Sequence, residues 1–163
     1  MNREIFLYTD GGATGNGKAH AKASWAFALP ALQIAYSGPV LGEKQTNNTG
    51  ELTAIYEGLR YLFYNITTFD IVTIITDSGY SMLVLKPDAK WKTAPPGKTP
   101  NLELIKKTYQ VIEWFQGLGK VVRFLHVNSH LKPSEKALLT PIMKIHSYYN
   151  DYVDSLATAI LSS

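Results

Sequence analysis

Residues 71–77, IVTIITD, decide the fold, because they join a short unbroken run of β-branched residues to an acid. A run of this kind is typical of a central strand that is buried on both faces. Such strands occur in sheets that helices cover, so the segment predicts an α/β protein. Asp77 is then expected at the carboxyl end of the strand, which is the edge where open α/β sheets bind ligands.

Three further strand patterns precede this segment, and glycine, proline or polar residues bound each of them. We predict a three-stranded meander in which Asp10 closes the first strand. A fifth strand is expected after the central one. The four additional strands are EIFLYTD (4–10), KASWAFALP (22–30), LQIAYSGPVL (32–41) and residues 120–127.

The first helix is predicted from Asn48 onward, because Leu52, Ile55 and Leu59 recur at helical spacing. Asn47 or Asn48 is available as its N-cap. The resulting order, βββ-α-β-α-α-β-α, predicts a mixed sheet of five strands flanked by helices. The remaining helices are expected at SGYSMLVL (78–85), at 101–116, and in a last helix that Asn150 opens.

The composition of the chain excludes several classes of protein. With 163 residues, of which 45% are hydrophobic and 18% charged, it suits one globular domain over 1–163. No apolar run reaches the roughly 20 residues of a membrane span, and no signal peptide is visible. We therefore expect a cytoplasmic protein without membrane contact. The absence of cysteine excludes disulfides and thiolate metal sites.

The net charge of +3 is modest but unevenly distributed. Segments 86–107 and 120–144 hold most of the surplus lysine and arginine. Such segments are usually a solvated face, although they also suit a polyanionic partner. Charge alone does not choose between these interpretations.

Four acids are candidates for one site. If the first and fourth strands are parallel neighbours, the carboxylates of Asp10 and Asp77 meet at one edge of the sheet. Glu51 in the first helix and Asp154 in the last could join them. A bare cluster of like charges repels, whereas divalent cations turn that repulsion into coordination. Carboxylates without cysteine indicate magnesium or manganese.

Each acid also has a simpler interpretation. Asp10 before two glycines fits an ordinary turn, and Glu51 in a first helical turn suits the helix dipole. Asp77 and Ser78 could form an N-cap pair, and Asp154 could be a solvated helix residue. Spacing in the sequence does not by itself prove that the four meet.

Six short motifs follow one another along the chain: YTDGG (8–12), TNNTGEL (46–52), ITDSGY (75–80), WKT (91–93), HVNSH (126–130) and NDYVDSLA (150–157). Together, and in this order, they resemble ribonuclease HI, the type 1 family that cuts the RNA strand of an RNA–DNA hybrid. The resemblance covers essentially the whole chain. It implies the RNase H-like fold, in which Asp10 and Asp77 are neighbours, and two magnesium ions, with manganese as a substitute.

The resemblance implies catalytic roles for five residues. Two ions would activate water on one side of the scissile phosphate and stabilise the leaving 3′ oxygen on the other, leaving 5′-phosphate and 3′-hydroxyl ends. A histidine would assist product departure. The metal ligands are Asp10, Glu51, Asp77 and Asp154, and the histidine is His130.

The resemblance also implies substrate contacts. Asparagines would read the RNA strand in the minor groove, and a second set would grip a DNA phosphate away from the cut. Trp91 would pack along a sugar of the DNA strand or else anchor its own loop. The first set is Asn16, Asn47 and Asn48, and the second is Lys44, Thr46 and Asn101.

Two departures from the family pattern limit this transfer. Between Asp77 and Trp91 the chain is too short for the basic protruding helix of some bacterial members, and we expect no amino-terminal hybrid-binding domain, so the grip on substrate should be weak. Segment 131–149 replaces a short glycine-rich loop and could hold a helical turn that Ser134 caps. It also brings in His146 as a second candidate for the role of His130.

Asp151 is a rival to Asp154 as the ligand from the last helix, because it lies three residues earlier on a similar helix face. Other functions are also compatible with the sequence. The main alternative is a DNA-cutting enzyme of the same fold, such as a resolvase or integrase. An inactive nucleic-acid-binding module and a sugar-kinase or actin-type ATPase are weaker ones. A monomer is expected.

Overall fold

The computed structural model describes residues 3–15, 18–66 and 68–163. Its strands form a single five-stranded sheet. They are β1 (Glu4–Thr14), β2 (Lys22–Leu29), β3 (Ile34–Pro39), β4 (Ile71–Thr76) and β5 (Val121–His126). The strand order is β3-β2-β1-β4-β5, which is the mixed five-stranded sheet that the sequence predicts.

Strand β4 is buried along its whole length, as its β-branched sequence predicts. It runs parallel to β1 on one side and to β5 on the other, so that Ile74 lies between Leu7 and Phe124. Strands β1, β2 and β3 form the expected antiparallel meander.

The first strand does not end at Asp10, and in this respect the prediction is wrong. Pairing with β2 continues to the Thr14–Lys22 pair, whereas pairing with β4 stops at the Tyr8–Ile75 pair. Asp10 therefore lies within β1 but beyond the last β4 pair. This position places it at the edge of the sheet where the two central strands part.

The helices cover both faces of the sheet. They are α1 (Asn47–Asn65), α2 (Gly79–Leu85), α3 (Leu102–Gly117), α4 (Pro133–Lys136) and α5 (Pro141–Leu161), with two 3₁₀ turns at Pro30–Leu32 and Lys90–Lys92. Helices α1 and α3 bury Leu59 and Phe115 in the same core as Leu7 on one face. Helix α5 buries Val153 in the same core as Tyr8 on the other. No described helix has the length and apolar composition that crossing a bilayer requires.

The last helix begins nine residues before Asn150, which corrects the predicted boundary. Thr140 is its N-cap, with its Oγ1 accepting a hydrogen bond from the Met143 N–H at 3.4 Å. Pro141 follows at the first helical position, where its missing N–H costs nothing.

Two predicted helix caps are also wrong. Thr46, not Asn47 or Asn48, caps α1: its hydroxyl accepts from the Thr49 N–H at 3.1 Å, and Thr49 accepts from the Thr46 N–H at 3.0 Å. This reciprocal pair satisfies two backbone donors at once. Helix α4 starts at Pro133, so Ser134 lies inside it and is not its cap.

Candidate active site

Three carboxylates meet at the carboxyl end of the central strands. One oxygen from each of Asp10, Glu51 and Asp77 lies within 4.8 Å of the others. The register of β1 and β4 explains why the two aspartates meet, because Asp10 and Asp77 each follow the Tyr8–Ile75 pair by two residues. Residues at matching positions on parallel neighbours point to the same face of the sheet.

Two glycines let α1 bring Glu51 beside Asp10. A Cβ atom on Gly11 would lie 2.2 Å from the Glu51 backbone nitrogen, and one on Gly50 would lie 2.4 Å from the Ser24 carbonyl oxygen. Both distances are far below any van der Waals contact, so only glycine permits the start of α1 to approach β1 this closely. The glycines after Asp10 and before Glu51 therefore belong to the construction of the site.

Asp154 approaches the same place from α5. This helix runs alongside β1: His146 contacts the ring of Phe6, with centroids 4.9 Å apart, and a Cβ on Gly12 would lie 3.0 Å from Leu161. Asp154 falls between these contacts. Its carboxyl group interacts with that of Asp10 and contributes to raising the pKa of Asp10. The structure thus brings all four predicted acids together.

The inner part of the site is buried and strongly acidic. Asp10 is 3% exposed and Glu51 is 8% exposed, while Asp77 is partly open. Burial is the largest cause of the raised pKa of both Asp10 and Glu51, and the negative charge of Asp77 raises both further. Without a counter-charge, these groups hold protons that ordinary carboxyl groups release well below neutral pH.

The residues fit divalent metal ions. The Glu51 Oε2 atom is buried and accepts no hydrogen bond in the described chain, so a carboxylate oxygen is left with its desolvation uncompensated. Bound cations would supply the missing partner. Because all the donors are carboxylate oxygens, the set suits a hard ion of the magnesium or manganese type.

The two candidate histidines lie in different environments. His130 is exposed, with a φ of 56°, on the loop after β5, at the same edge of the sheet as the acids. His146 is only 2% exposed, and its Nδ1 lies 2.7 Å from the Tyr8 hydroxyl. Burial lowers the pKa of His146. A side chain held in this way does not fit a mobile role, which leaves His130 as the candidate.

Asp151 is engaged elsewhere. It forms an ion pair with Lys136 of α4 and is not a member of the carboxylate cluster. Asp154, by contrast, interacts with the carboxyl group of Asp10 and is only partly exposed, which favours it over Asp151 as the acid of α5 beside the cluster. The simpler interpretation of Ser78 is partly right, since its hydroxyl caps α2 by accepting from the Ser81 N–H at 3.1 Å.

Two of the three residues predicted to bind a DNA phosphate line the same groove. Lys44 and Asn101 both line an open groove of about 1010 Å³ between β3, α1 and α3. Asn101 also donates a hydrogen bond from Nδ2 to the Tyr80 hydroxyl at 3.1 Å. Thr46 precedes α1 as its cap.

The asparagines predicted to read RNA are placed at the start of α1. Asn47 and Asn48 are its first two residues, four and three positions before Glu51. Asn47 is exposed and Asn48 is half-buried. Asn16 lies outside the described residues.

Trp91 has contacts that anchor its loop. Its indole N–H donates to the Val84 carbonyl at 2.6 Å, and its ring meets Tyr109 edge-on, with centroids 5.7 Å apart. It also packs against the main hydrophobic core. The anchoring interpretation therefore agrees with these contacts, and the contact with a DNA sugar stays a prediction.

Comparisons with known proteins agree with this geometry. A family model described as RNase H matches residues 2–162. A ribonuclease H from Wolbachia pipientis wMel is 31% identical over 125 residues, covering 69% of this chain and 80% of that protein. A ribonuclease H from the Wolbachia strain wRi matches over the same shares at the same identity.

Solved structures share the fold at low identity. The RNase H1 of the halophilic archaeon Halobacterium salinarum NRC-1 is 20% identical, with 98% of each chain covered and a TM-score of 0.57. The solution structure of the PFV RNase H domain is also 20% identical, covering 98% of this chain and 94% of that one, with a TM-score of 0.66. With the family match over nearly the whole length and the two curated relatives, the chain belongs to the RNase H family and is a ribonuclease H.

Proposed function

We propose that this protein hydrolyses the RNA strand of RNA–DNA hybrids internally, with two divalent metal ions, leaving 5′-phosphate and 3′-hydroxyl ends. One observation carries the proposal: oxygens of Asp10, Glu51 and Asp77 lie within 4.8 Å of one another, with Asp154 beside them. A buried cluster of like charges without a counter-charge is costly, and bound cations would offset that cost.

The choice of substrate is supported by the comparisons. The foamy viral protease-reverse transcriptase has been solved in complex with an RNA/DNA hybrid. This chain matches 20% of that protein with 98% of its own length, at 17% identity and a TM-score of 0.67. The likeness in fold is consistent with a hybrid as the partner of the present chain.

The four acids would hold the ions between them. Asp10, which interacts with the other three, would contribute to both sites. Glu51 and Asp77 would complete one site and Asp154 the other. When bound, divalent ions supply an activated water at neutral pH and stabilise negative charge on the leaving oxygen.

His130 is assigned to proton transfer or product release. Its exposed position on the loop after β5 gives it access to solvent and to the edge of the sheet where the acids lie. An imidazole ring can both donate and accept a proton, which suits either task.

The amide and hydroxyl groups around α1 would make the protein bind the hybrid in preference to other duplexes. Recognition of RNA relies on its 2′-hydroxyls, and an amide can both donate to and accept from such a group. Asn47 and Asn48 offer amides beside Glu51, and we assign Asn16 to the same task. A phosphate of the DNA strand would lie in or beside the groove described above, held by Lys44, Thr46 and Asn101.

The first test compares substrates. Labelled RNA–DNA hybrid, double-stranded RNA, double-stranded DNA and single strands are each incubated with magnesium and, separately, with a chelator. We expect cutting of the hybrid alone, only with magnesium, and fragments that a 5′-phosphate-dependent exonuclease degrades. Preferential cutting of double-stranded DNA would establish a resolvase-like or integrase-like activity instead.

The second test compares two aspartates. Asp10→Asn removes a ligand charge without changing volume, so hybrid cutting should fall by about 10³-fold or more while the fold and hybrid binding persist. Asp151→Asn is the matched control, because Asp151 pairs with Lys136 away from the cluster, and it should keep its activity. Parental cutting by Asp10→Asn would refute the proposal.

A further inference from the structure

The outer edge of β5 exposes a row of backbone hydrogen-bonding groups. Within the described chain, β5 pairs with β4 alone. The Val121 N–H donates to the Asp70 carbonyl at 2.8 Å, and the Val127 N–H donates to the Thr76 carbonyl at 3.0 Å. Odd-numbered residues of β5 therefore direct their N–H and C=O groups toward β4. Those of the even-numbered residues point away from the sheet.

The side chains of the same even-numbered residues line a cavity. It has a volume of about 500 Å³ and is lined by residues of β5, α2 and α3. Ile112 of α3 is buried on its wall, and Leu83 of α2 stands at its rim with 61% of its surface exposed. The lining is mainly apolar. The β5 residues involved are Val122, Phe124 and His126.

An open strand edge next to an apolar cavity favours a ligand in an extended conformation. A strand added to β5 would satisfy the outward backbone groups, and alternate side chains of the added strand would lie over the cavity. A helix seated in the cavity would leave the backbone groups of the edge without partners. The volume suits one or two large apolar side chains.

The charges beside the edge favour an acidic occupant. None of the described side chains that line the cavity is a carboxylate, whereas Lys86 is among them. Arg123 is exposed on the other face of β5. The Lys86 pair with Asp88 is 3.9 Å long and exposed, and pairs of this kind contribute little. A second copy of this chain would oppose like charges across the edge, so self-pairing is disfavoured.

We propose that the β5 edge is a docking site for a partner protein, which adds an extended acidic segment as a sixth strand. One aromatic or aliphatic side chain of that segment fills the cavity beside Lys86, and the acidic residues that alternate with the apolar ones lie on the opposite face, near Arg123. The four acids of the candidate active site do not line this cavity, so docking recruits the enzyme and does not alter its chemistry.

A synthetic peptide with alternating glutamate and apolar residues, EVEFEVEV, is the probe. The ¹⁵N-labelled full chain is titrated with it and with a peptide of the same composition in block order, EEEEVVVF. We expect saturable binding of the alternating peptide alone. The backbone amides of Val122, Phe124 and His126 should shift and exchange more slowly with solvent.

Two matched variants locate the contact. Leu83→Glu places a negative charge at the rim of the cavity and should weaken peptide binding about tenfold or more, without changing hybrid cleavage. Leu118→Glu changes a leucine of almost equal exposure, 62%, that does not line the cavity, and should leave binding unchanged. His126→Pro removes one outward N–H and should also weaken binding.

Four results of the peptide titrations would overturn the proposal. They are the absence of saturable binding at millimolar peptide, equal binding of both peptides, shifts confined to other surfaces, and equal weakening by both glutamate variants. Sedimentation that shows a dimer, lost in Leu83→Glu, would also overturn it, because the occupant would then be a second copy. Hybrid cleavage is measured in a separate assay, and its absence would count against the proposed function but not against the docking site.

Discussion

At the residue scale, the site depends on two glycines, where the backbones of neighbouring elements are too close for any side chain. Gly11 and Gly50 let α1 meet β1, and this contact places Glu51 beside Asp10. The acids themselves are predictable, because each lies within one of the short motifs recognisable in the sequence. Gly11 looks in the sequence like part of an ordinary turn. Its role as a packing contact follows only from the fold.

Gly11→Ala should therefore destabilise the protein and displace Glu51. A Cβ atom 2.2 Å from the Glu51 nitrogen forces backbone movement, at a cost of about 3 kcal/mol or more in the free energy of unfolding. Gly117→Ala is the control: its Cβ would meet nothing within 4 Å, and stability should rise by about 0.5 kcal/mol. Urea denaturation measures both. Equal stability of the two variants would contradict this account of the glycine contact.

The stability of the metal-free protein should depend on the pKa shifts in the cluster. Burial raises the pKa of Glu51 to about 8, and that of Asp10 is raised as well, whereas both groups titrate at about pH 4 in an unfolded chain. Between these values the folded state binds more protons than the unfolded state. The stabilising contribution is therefore complete below the unfolded pKa values and is lost as the pH rises toward the folded ones.

Thermal melts in chelator measure this effect. We expect the Tm to fall between about pH 6 and pH 9, the fall to be smaller in Asp10→Asn, and magnesium to restore stability most at the higher pH. Tyr148→Phe, a change at an exposed residue on α5, should follow the parental curve. A Tm that rises with pH in the parental protein would show that the acids carry no such shift.

At the scale of elements, α5 shows why one boundary could not be predicted. Its first half buries polar residues, His146 and Ser147. Ile142, Ile145 and Tyr148 of the same half are exposed. Met143 and Tyr149 are partly buried against the core. The apolar residues of this half therefore do not form a single buried stripe, and a prediction based on burial of apolar residues misses these turns. The central strand β4 has no such conflict, and its bounds agree with the prediction.

The hydrogen bond between Tyr8 and His146 holds this half of α5 on the sheet, and its contribution to stability can be measured. Tyr8→Phe removes the hydroxyl 2.7 Å from His146 Nδ1 and leaves a buried polar atom without its partner. We expect the free energy of unfolding to fall by about 1–3 kcal/mol. Tyr148→Phe, on the exposed face of the same helix, should change it by less than about 0.5 kcal/mol. Equal effects in urea titrations would show that the Tyr8 contact contributes nothing.

At the scale of the whole molecule, the surplus positive charge is only partly available to a partner. Lys92 donates to the Pro87 carbonyl and the Tyr109 hydroxyl, both at 2.6 Å, and Lys107 lies over the Tyr56 ring at 4.5 Å. The segment that contains Lys92 forms a 3₁₀ turn and loops instead of a protruding basic helix. The prolines of this segment already predict, from the sequence, that it does not form such a helix.

Binding of a short hybrid should therefore be weak and depend only shallowly on salt. Few phosphate contacts release few counterions, so the logarithm of the association constant should fall with the logarithm of salt concentration with a slope shallower than about −4. Fluorescence anisotropy in calcium, over a range of potassium chloride, measures the slope. A markedly steeper slope, or tight binding at high salt, would contradict the expectation.

The central claim, that four acids distant in sequence form one site for divalent ions, is tested most directly by anomalous diffraction from crystals soaked in manganese. We predict an anomalous peak among the carboxylates of Asp10, Glu51 and Asp77, with Asp154 beside it, and no peak there in crystals of Asp10→Asn treated identically. Manganese bound only elsewhere in the parental crystals, with this cluster empty, would contradict the account.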